Sequence, residues 1–264
     1  MFQSSYYQIY PSLLDAYQTW LDAERNWNEW YGSSENPSIS CDDYLINARQ
    51  ELIDRINRVP FESEAADRGT AFNEVIDALL LGRKPQREDL TLEFTEDVIK
   101  AVFKGQEFYY DAGLCRELAY DYRGAIPQYH CVGVLPTRYG DVTLYGYIDE
   151  LLEDEVHDIK TTKKYSAFKF RNHWQHIVYP YNLQYEGIPV SGFQYDIVKW
   201  EKDLAWSFFS EYYEFVPERD VPRLRAHVEG LIEFLSANEH LITDLKIFNA
   251  LDGADERINK YGER

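Results

Sequence analysis

The segment YGYIDELLEDEVHDIKTTKKY, residues 145–165, has the pattern of a β-hairpin that carries charged side chains where strands ordinarily place apolar ones. Apolar and polar residues alternate on both sides of Glu153 and Asp154, which form the expected turn. Asp149 lies on the first strand, and Asp158 and Lys160 lie on the second. The hairpin therefore bears both on the fold class and on where any chemistry takes place.

The position of the turn predicts which residues face each other across the hairpin. The expected cross-strand pairs are Asp149 with Asp158, Glu150 with His157, and Tyr147 with Lys160. Because side chains alternate along a strand, Asp149, Asp158 and Lys160 project from one face of the sheet. Glu150 and His157 meet on the other face, where we expect them to pair.

Two carboxylates directly opposite each other repel by about 0.2–1 kcal/mol unless something lies between them. Asp149 and Asp158, together with the peptide carbonyl of Ile159, supply hard oxygen ligands for Mg²⁺ or Mn²⁺. Lys160 is placed to orient a metal-activated water or to stabilise negative charge, which is equipment for phosphodiester hydrolysis. The alternative is an exposed hairpin in which Asp158 and Lys160 form an ordinary surface pair.

Composition indicates one globular domain over residues 1–264, since hydrophobic residues make up 45% of the chain. No run reaches the roughly 18 apolar residues of a membrane span, and the first residues lack a signal-peptide pattern, so we expect a cytoplasmic protein with no membrane partner. Cys41, Cys115 and Cys131 are widely spaced, which favours reduced thiols over a disulfide frame.

The net charge of −19 argues at face value against a nucleic-acid partner. A nuclease, however, needs only a local basic track beside its metal site. The concentrated positive stretch of the chain follows the hairpin and comprises Lys160, Lys163, Lys164, Lys169 and Arg171. A solvated loop explains this stretch as well as a phosphate track does, and its position next to the proposed metal favours the track as a DNA-binding surface.

The order of predicted elements indicates an α/β or α+β fold with a central mixed sheet flanked by helices. Residues 1–125 form a helical region, with helices expected at 10–31, 42–57 and 64–81 and, within 87–109, a short extended piece followed by a helix. Ser12 is a candidate cap of the first of these. The sheet core and a C-terminal helix span 126–245, with three antiparallel strands before residue 162, a helix at 166–185, and strands at 191–200 and 206–216. A polar tail covers 246–264.

Further motifs flank the hairpin on both sides. Gln175 and Tyr179 are four residues apart and share one face of the predicted helix at 166–185. Upstream, RGTAFNEVIDALL places Asn73, Glu74 and Asp77 on a helix before the sheet.

With these motifs in this order, residues 68–200 resemble the RecB-like branch of the PD-(D/E)XK nucleases, which have a restriction-endonuclease-like core. That branch includes helicase-associated nuclease domains, phage recombination exonucleases and CRISPR-associated adaptation nucleases. The segment YPSLLDAY, residues 10–17, is also similar to the opening helix of many members.

The resemblance implies a role for each matching residue. Asp149 and Asp158 correspond to metal ligands and Lys160 to the catalytic lysine, while Gln175 and Tyr179 correspond to residues that contact DNA and the active site. The family histidine, often a metal ligand, falls on Asn73, which favours Mg²⁺ over Mn²⁺. Glu74 or Asp77 is then a candidate third carboxylate. Some members hold an iron–sulfur cluster through later cysteines, and because no cysteine follows Cys131 we expect no cluster.

The expected function is a metal-dependent DNA nuclease, specifically an exonuclease of phage or mobile-element recombination or genome processing. Its partners are DNA and, by the same resemblance, a recombination or replication protein. The alternative is a binding or scaffold protein that keeps the nuclease fold without catalysis. Asn73 and the acidic net charge are the two arguments for that alternative.

Overall fold

A central mixed β-sheet flanked by helices organises the protein, which confirms the predicted fold class. The computed structural model describes residues 7–85 and 87–248. The strands in chain order are β1 Tyr7–Ile9, β2 Leu90–Phe94, β3 Val98–Phe103, β4 Gln106–Asp111, β5 Ile126–Thr137, β6 Gly140–Leu151, β7 Glu155–Thr162, β8 Gly192–Trp200 and β9 Trp206–Glu214. The helices are α1 Pro11–Leu21, α2 Ala23–Trp30, α3 Cys41–Ile56, α4 Glu64–Leu81, α5 Ala112–Asp121, α6 Gln175–Tyr185 and α7 Pro217–Ala237.

The central sheet has the strand order β1-β6-β7-β8-β9, with β5 also paired to β6. Strand β5 runs antiparallel to β6 along nearly its whole length and occupies one edge of it. The other edge of β6 is shared by β1, which is parallel and pairs at residues 142–144, and by β7, which is antiparallel and pairs at residues 150–151. Strand β7 then pairs with β8 in parallel over eight residues. The sheet is therefore forked where β6 and β7 separate.

The two faces of the sheet pack against different elements. One core contains apolar residues of α1, α3, α6 and α7 together with Val156 and Ile197 of the sheet. The second core contains α4, α5 and the three-stranded sheet β2-β3-β4, together with Ile159 and Val198. Strands β7 and β8 each contribute side chains to both cores, Val156 and Ile159 from β7 and Ile197 and Val198 from β8, so the sheet is buried on both sides where they run.

Residues 87–109 differ from the prediction of an extended piece followed by a helix. They form the antiparallel strands β2 and β3 and most of β4, and helix α5 begins only at Ala112. Within β3, Ile99, Ala101 and Phe103 are buried and alternate with partly exposed residues, which is the two-residue period of a strand. Lys104 and Gly105 both adopt positive φ, as a two-residue hairpin turn requires.

The predicted helices at 42–57 and 64–81 are confirmed as α3 and α4, and α4 ends at Gly82 in the left-handed conformation. The helix predicted at 10–31 is two helices, α1 and α2, that meet at Asp22. Ser12 does not cap α1, because Tyr10 occupies the N-cap position and Pro11 is the first helical residue.

The helix predicted at 166–185 begins only at Gln175, because the preceding residues form turns and Phe168 has a φ of 62° that no α-helix accommodates. Helix α6 continues through Pro180 to Tyr185. Of the predicted tail, residues up to Phe248 belong to a short 3-10 turn, Leu245–Phe248, and residues 249–264 lie outside the described residues. No helix in the described ranges is long and apolar enough to cross a bilayer.

Candidate active site

The hairpin between β6 and β7 has the predicted register but a shorter ladder. Glu150 pairs with His157 and Leu151 pairs with Val156, as expected. Beyond these pairs, the Asp149 carboxylate accepts a hydrogen bond at 2.9 Å from the backbone N–H of Ile159. The predicted backbone pairings of Asp149 with Asp158 and of Tyr147 with Lys160 are therefore wrong, because β7 turns away from β6 to pair with β8 and the Asp149 side chain fills the fork.

A break in the β5–β6 ladder accompanies this placement of Asp149. Pro127 pairs with Glu150 and Tyr129 with Ile148, while Gln128, between them, has a positive φ of 53°. Ile148 and Leu151 consequently both join the core under α6 and α7, although they are three residues apart and strict alternation would separate them. The irregularity lets Asp149 point into the fork while Glu150 faces α4.

Asp158 is the centre of the site. Its carboxylate is almost fully buried, with Oδ2 at 2.6 Å from the Lys160 Nζ and Oδ1 accepting a 2.6 Å hydrogen bond from the Gln175 Nε2. The Lys160 ammonium also lies 5.6 Å from the centre of the Tyr195 ring. The structure thus brings together Asp149, Asp158, Lys160 and Gln175 from two strands and a helix.

Burial is the main influence on the pKa values of the ionisable side chains in this group. Burial and the neighbouring Asp158 raise the pKa of Asp149 to about 8. Burial also raises the pKa of Asp158, even though Lys160 acts in the opposite direction. Against its own desolvation, Lys160 has a raised pKa because Asp158 and Asp149 lie beside it. Two carboxyl groups lie beside one ammonium, so a further cation would be stabilised there once Asp149 gives up its proton.

A second pair of carboxyl groups, Asp77 of α4 and Glu150, lies on the other side of β6. Burial and Glu74 raise the pKa of Asp77 to about 7, while burial, Asp77 and Asp149 raise the pKa of Glu150 to about 10. Glu150 is therefore protonated at neutral pH.

Within residues 7–85 and 87–248, no three His, Cys, Asp or Glu side chains converge in a metal-binding group. Asp77 of α4 is nevertheless close enough to raise the pKa of Asp149, and the assignment of Glu74 or Asp77 as a third carboxylate ligand stays a prediction. The side-chain oxygen of Asn73 is buried without a hydrogen-bond partner. Asn73, on which the resemblance to the nuclease family places a histidine, is thus a buried acceptor without a hydrogen-bond partner.

Tyr179 of α6 lies buried between Gln175 and strand β6. Its side chain is only 5% exposed, so the expectation that its ring is free to contact DNA is wrong. The ring lies against the backbone of Gly146 in β6, and the hydroxyl is 3.4 Å from the Gln175 Nε2. Burial holds the pKa of Tyr179 well above its usual range, so the phenol keeps its proton. Tyr179 therefore acts by positioning Gln175, which in turn holds Asp158.

We expect Gly146→Ala to destabilise the fold and to displace Tyr179. A Cβ at residue 146 would lie 2.5 Å from the Tyr179 Cε1, which is closer than two carbon atoms approach. Overpacking of this kind costs about 1–3 kcal/mol, measurable as a lower midpoint in urea unfolding. The second substitution Tyr179→Leu removes the ring and should recover part of the loss in the double variant. Unchanged stability of Gly146→Ala would contradict the contact.

The side chains of His157 and Glu150 do not pair as predicted, although the two residues are partners in the backbone ladder. The His157 Nδ1 lies 2.7 Å from the Asp196 Oδ2 of β8, and Asp196 also accepts hydrogen bonds from the Tyr122 hydroxyl and the Gln194 amide. Asp196 lies two residues beyond Gln194, the direct partner of His157 on the parallel strand β8, so its buried carboxylate projects to the same face of the sheet as the imidazole. His157 thus belongs to a structural network on the α5 side of the sheet.

The basic residues after β7 are exposed, as expected for Lys163, Lys164, Lys169 and Arg171. The Lys169 ammonium already makes two hydrogen bonds within the protein, since its Nζ donates to the Thr162 Oγ1 at 2.7 Å and to the Lys164 carbonyl at 2.9 Å. Its ammonium braces the loop in this structure.

Asp15 of α1 is a site residue that the sequence motifs did not single out. Its carboxylate accepts a hydrogen bond from the Trp174 N–H at 2.7 Å and lies 3.3 Å from the His173 Nδ1. Asp15 thereby ties α1 to the start of α6, one residue before Gln175. The sequence contains one indication of this role, because Asp15 lies in the YPSLLDAY segment.

Comparisons with known proteins assign no family. No family model and no curated protein matches the chain. Among solved structures, the chain is similar to a protein of Eubacterium rectale named "Putative exonuclease", with 12% identity over 91% of this chain and 84% of that one and a TM-score of 0.43. It is also similar to SSO0001, with 12% identity over 89% of this chain and 78% of that one and a TM-score of 0.41. Neither likeness is strong enough to indicate an activity.

Proposed function

We propose that the protein is a divalent-metal-dependent deoxyribonuclease whose active site is built on Asp149, Asp158 and Lys160. The observation that carries the proposal is the forked hairpin. There the Asp149 carboxylate is held against the Ile159 N–H, next to an Asp158 that is bound by Lys160 and Gln175. An exposed hairpin with an ordinary surface pair, the alternative interpretation of this sequence, would leave these groups in solvent; Asp158 is 2% exposed.

The residues present fit a hard divalent cation. Asp149 and Asp158 supply carboxylate oxygens and Ile159 supplies a peptide carbonyl, the oxygen set that Mg²⁺ and Mn²⁺ prefer. Burial is the main cause of the raised pKa of Asp149, and the adjacent Asp158 carboxylate raises it further, against the opposing effect of the Lys160 ammonium. Bound there, a divalent ion would lower the pKa of a coordinated water and neutralise charge on a phosphate.

The protein's own groups have separate tasks in this proposal. The Lys160 ammonium lies beside the Asp158 carboxylate, from where it can donate a hydrogen bond to the attacking water or to a phosphate oxygen as negative charge develops. Gln175 holds Asp158 by its amide and keeps the carboxylate oriented. Tyr179 and Asp15 fix the helix that carries Gln175.

The exonuclease mode, and a role in phage or mobile-element recombination with a protein partner, remain proposals that rest on the family resemblance. The second candidate function is a DNA-binding scaffold that has lost catalysis. The replacement of the family histidine by Asn73, whose side-chain oxygen is buried and unpaired, favours that candidate. Assays of metal binding and of DNA cleavage distinguish the nuclease from the scaffold.

We expect Mg²⁺ or Mn²⁺ to raise the melting temperature of the wild type, and Asp149→Asn and Asp158→Asn to abolish that shift. At a metal concentration of 100 times the dissociation constant, binding contributes about 2.7 kcal/mol, or roughly 5–10 °C for a chain of this size. Asp154→Asn, at the exposed turn of the same hairpin, is the matched control and should keep the shift.

Cleavage of end-labelled linear, circular and single-stranded DNA should follow the same pattern among the variants. An exonuclease degrades the linear DNA and leaves the circle intact. Metal binding without cleavage of any of these substrates would favour the scaffold, and the absence of a metal-dependent shift in the wild type would refute the nuclease.

A further inference from the structure

The loop at residues 163–172, between β7 and α6, has a composition unlike the rest of the chain. It contains four basic residues and no acidic one, in a protein of net charge −19. Nine of its ten residues are at least partly exposed, and Phe170 is the buried exception. The loop is therefore a local positive surface on an acidic protein, which attracts polyanions to this place.

Phe168 at the centre of this loop is unusual in two independent respects. Its side chain is 64% exposed, which leaves most of an aromatic ring in water. Its backbone has a φ of 62°, in the left-handed region that bulky L-residues seldom occupy. Residues held in such conformations cluster where binding requires them, and the surrounding structure must enforce them.

Hydrogen bonds on both sides of Phe168 hold the loop in this backbone conformation. Lys169 ties the loop to Thr162 and to the Lys164 carbonyl. The buried Glu211 of β9 accepts a 2.9 Å hydrogen bond from the Tyr165 hydroxyl and a 3.2 Å hydrogen bond from the Phe170 N–H. The rings on either side of Phe168 are thus held against the sheet, and Phe168 is left pointing outward.

The braced loop adjoins the candidate active site at both ends. It follows Lys160 on β7 and leads into Gln175 at the start of α6. Phe170 packs on Tyr195 with ring centres 5.2 Å apart, and Tyr195 in turn lies 5.6 Å from the Lys160 ammonium. A strand held by the loop would therefore run next to Asp158 and Lys160.

We propose that Phe168 stacks on an unpaired base of single-stranded DNA while Lys163, Lys164 and Arg171 contact the flanking phosphates. An exposed aromatic ring set among cations is the pairing that single strands bind, since every base has a face to stack and every linkage carries a charge. The bases of an intact duplex are stacked on each other and offer no such face. This inference rests on the proposed nuclease function and extends it by naming the substrate as DNA with a single-stranded end.

Binding is tested without cleavage, using the full chain in EDTA. The probes are a labelled 20-nucleotide single strand, a closed-hairpin duplex of equal length, and a single strand carrying 2-aminopurine, whose fluorescence falls when the base stacks. Phe168→Ala should weaken single-strand binding by about tenfold and abolish the quenching, because one base stack is lost. Phe168→Trp keeps a stacking face and should bind as the wild type does. Binding to the closed duplex should be the same for all variants.

Phe61→Ala is the matched control, because Phe61 is 59% exposed and lies on a different loop. Phe168→Leu retains apolar bulk without a π face, so it should behave like Phe168→Ala and, if alanine impairs folding, replace it. Single-strand binding and quenching that are unaffected by both Phe168→Ala and Phe168→Leu would overturn the proposal, and so would a wild type that does not bind the single strand. A wild type that binds through Phe168 but cuts nothing would instead refute only the nuclease.

Discussion

Lys160→Ala is expected to lower the rate of DNA cleavage on the order of 10²–10³-fold while leaving the fold and metal binding in place. The ammonium lies beside both Asp158 and Asp149, and it would stabilise charge that develops on a phosphate. Removing one preorganised donor of this kind from an active site costs about 10²–10³ in rate. Single-turnover cleavage at saturating metal measures the effect, because it isolates the chemical step from binding and product release.

The control for this prediction is Lys163→Ala, which removes an exposed lysine three residues away on the same chain segment. That change should reduce cleavage less than tenfold and should act mainly on DNA affinity, with an effect that disappears at high salt. The Lys160→Ala variant should still show the metal-dependent rise in melting temperature. If it cleaves at the wild-type rate, Lys160 is only the structural counter-ion of Asp158.

The hairpin and its turn were predictable from the sequence because both depend on short-range rules. A two-residue period and a turn centred between two strands determine the register near the turn, and the pairs Glu150–His157 and Leu151–Val156 follow. The departure at Asp149 was not predictable in this way. It depends on the pairing of β7 with β8, which lies beyond α6 in the chain.

The wrong assignments share the same physical origin. Gln175 and Tyr179 are neighbours on one helix face, which local spacing predicts, yet Tyr179 is buried because β6 offers Gly146 at the point of contact. His157 pairs with Asp196 because the parallel strand β8 brings that carboxylate to the same face of the sheet, two residues beyond the direct partner Gln194. Packing between distant elements decides which member of a motif is exposed, and a motif alone does not contain that information.

The adjacent carboxyl groups of Asp149 and Glu150 have different surroundings, because the break at Gln128 lets Asp149 point into the fork and turns Glu150 towards α4. Asp149 points into the fork with Asp158 and Lys160, where a cation can compensate its charge. Glu150 faces Asp77 of α4, and its pKa of about 10 means that it is compensated by a proton instead. The two groups are therefore expected to respond differently to added metal, which acts at Asp149 and not at Glu150, while both have raised pKa values in the metal-free protein.

We expect Glu150→Gln to stabilise the metal-free protein at pH 8 and to have little effect at pH 5. A carboxyl group with a raised pKa keeps in the folded state a proton that the unfolded chain releases above its ordinary value of 4.5. The stability that this proton contributes is complete below pH 4.5 and is lost as the pH rises towards 10. Each pH unit in that window costs about 1.4 kcal/mol, so the wild type should lose about 4 kcal/mol between pH 5 and pH 8 from this group.

Glutamine has the shape of protonated glutamate and does not titrate, and its amide can still donate to Asp77, so the variant should lack most of that slope. A pH dependence of stability should remain in the variant, because the pKa values of Asp149 and Asp77 are also raised, to about 8 and about 7. Urea unfolding in EDTA at pH 5, 6.5 and 8 measures the difference, with Glu153→Gln at the exposed turn as the control that leaves the slope unchanged. Parallel stability curves for the wild type and Glu150→Gln would mean that Glu150 is ionised in the folded protein, and the site would then hold a buried negative charge on both sides of β6.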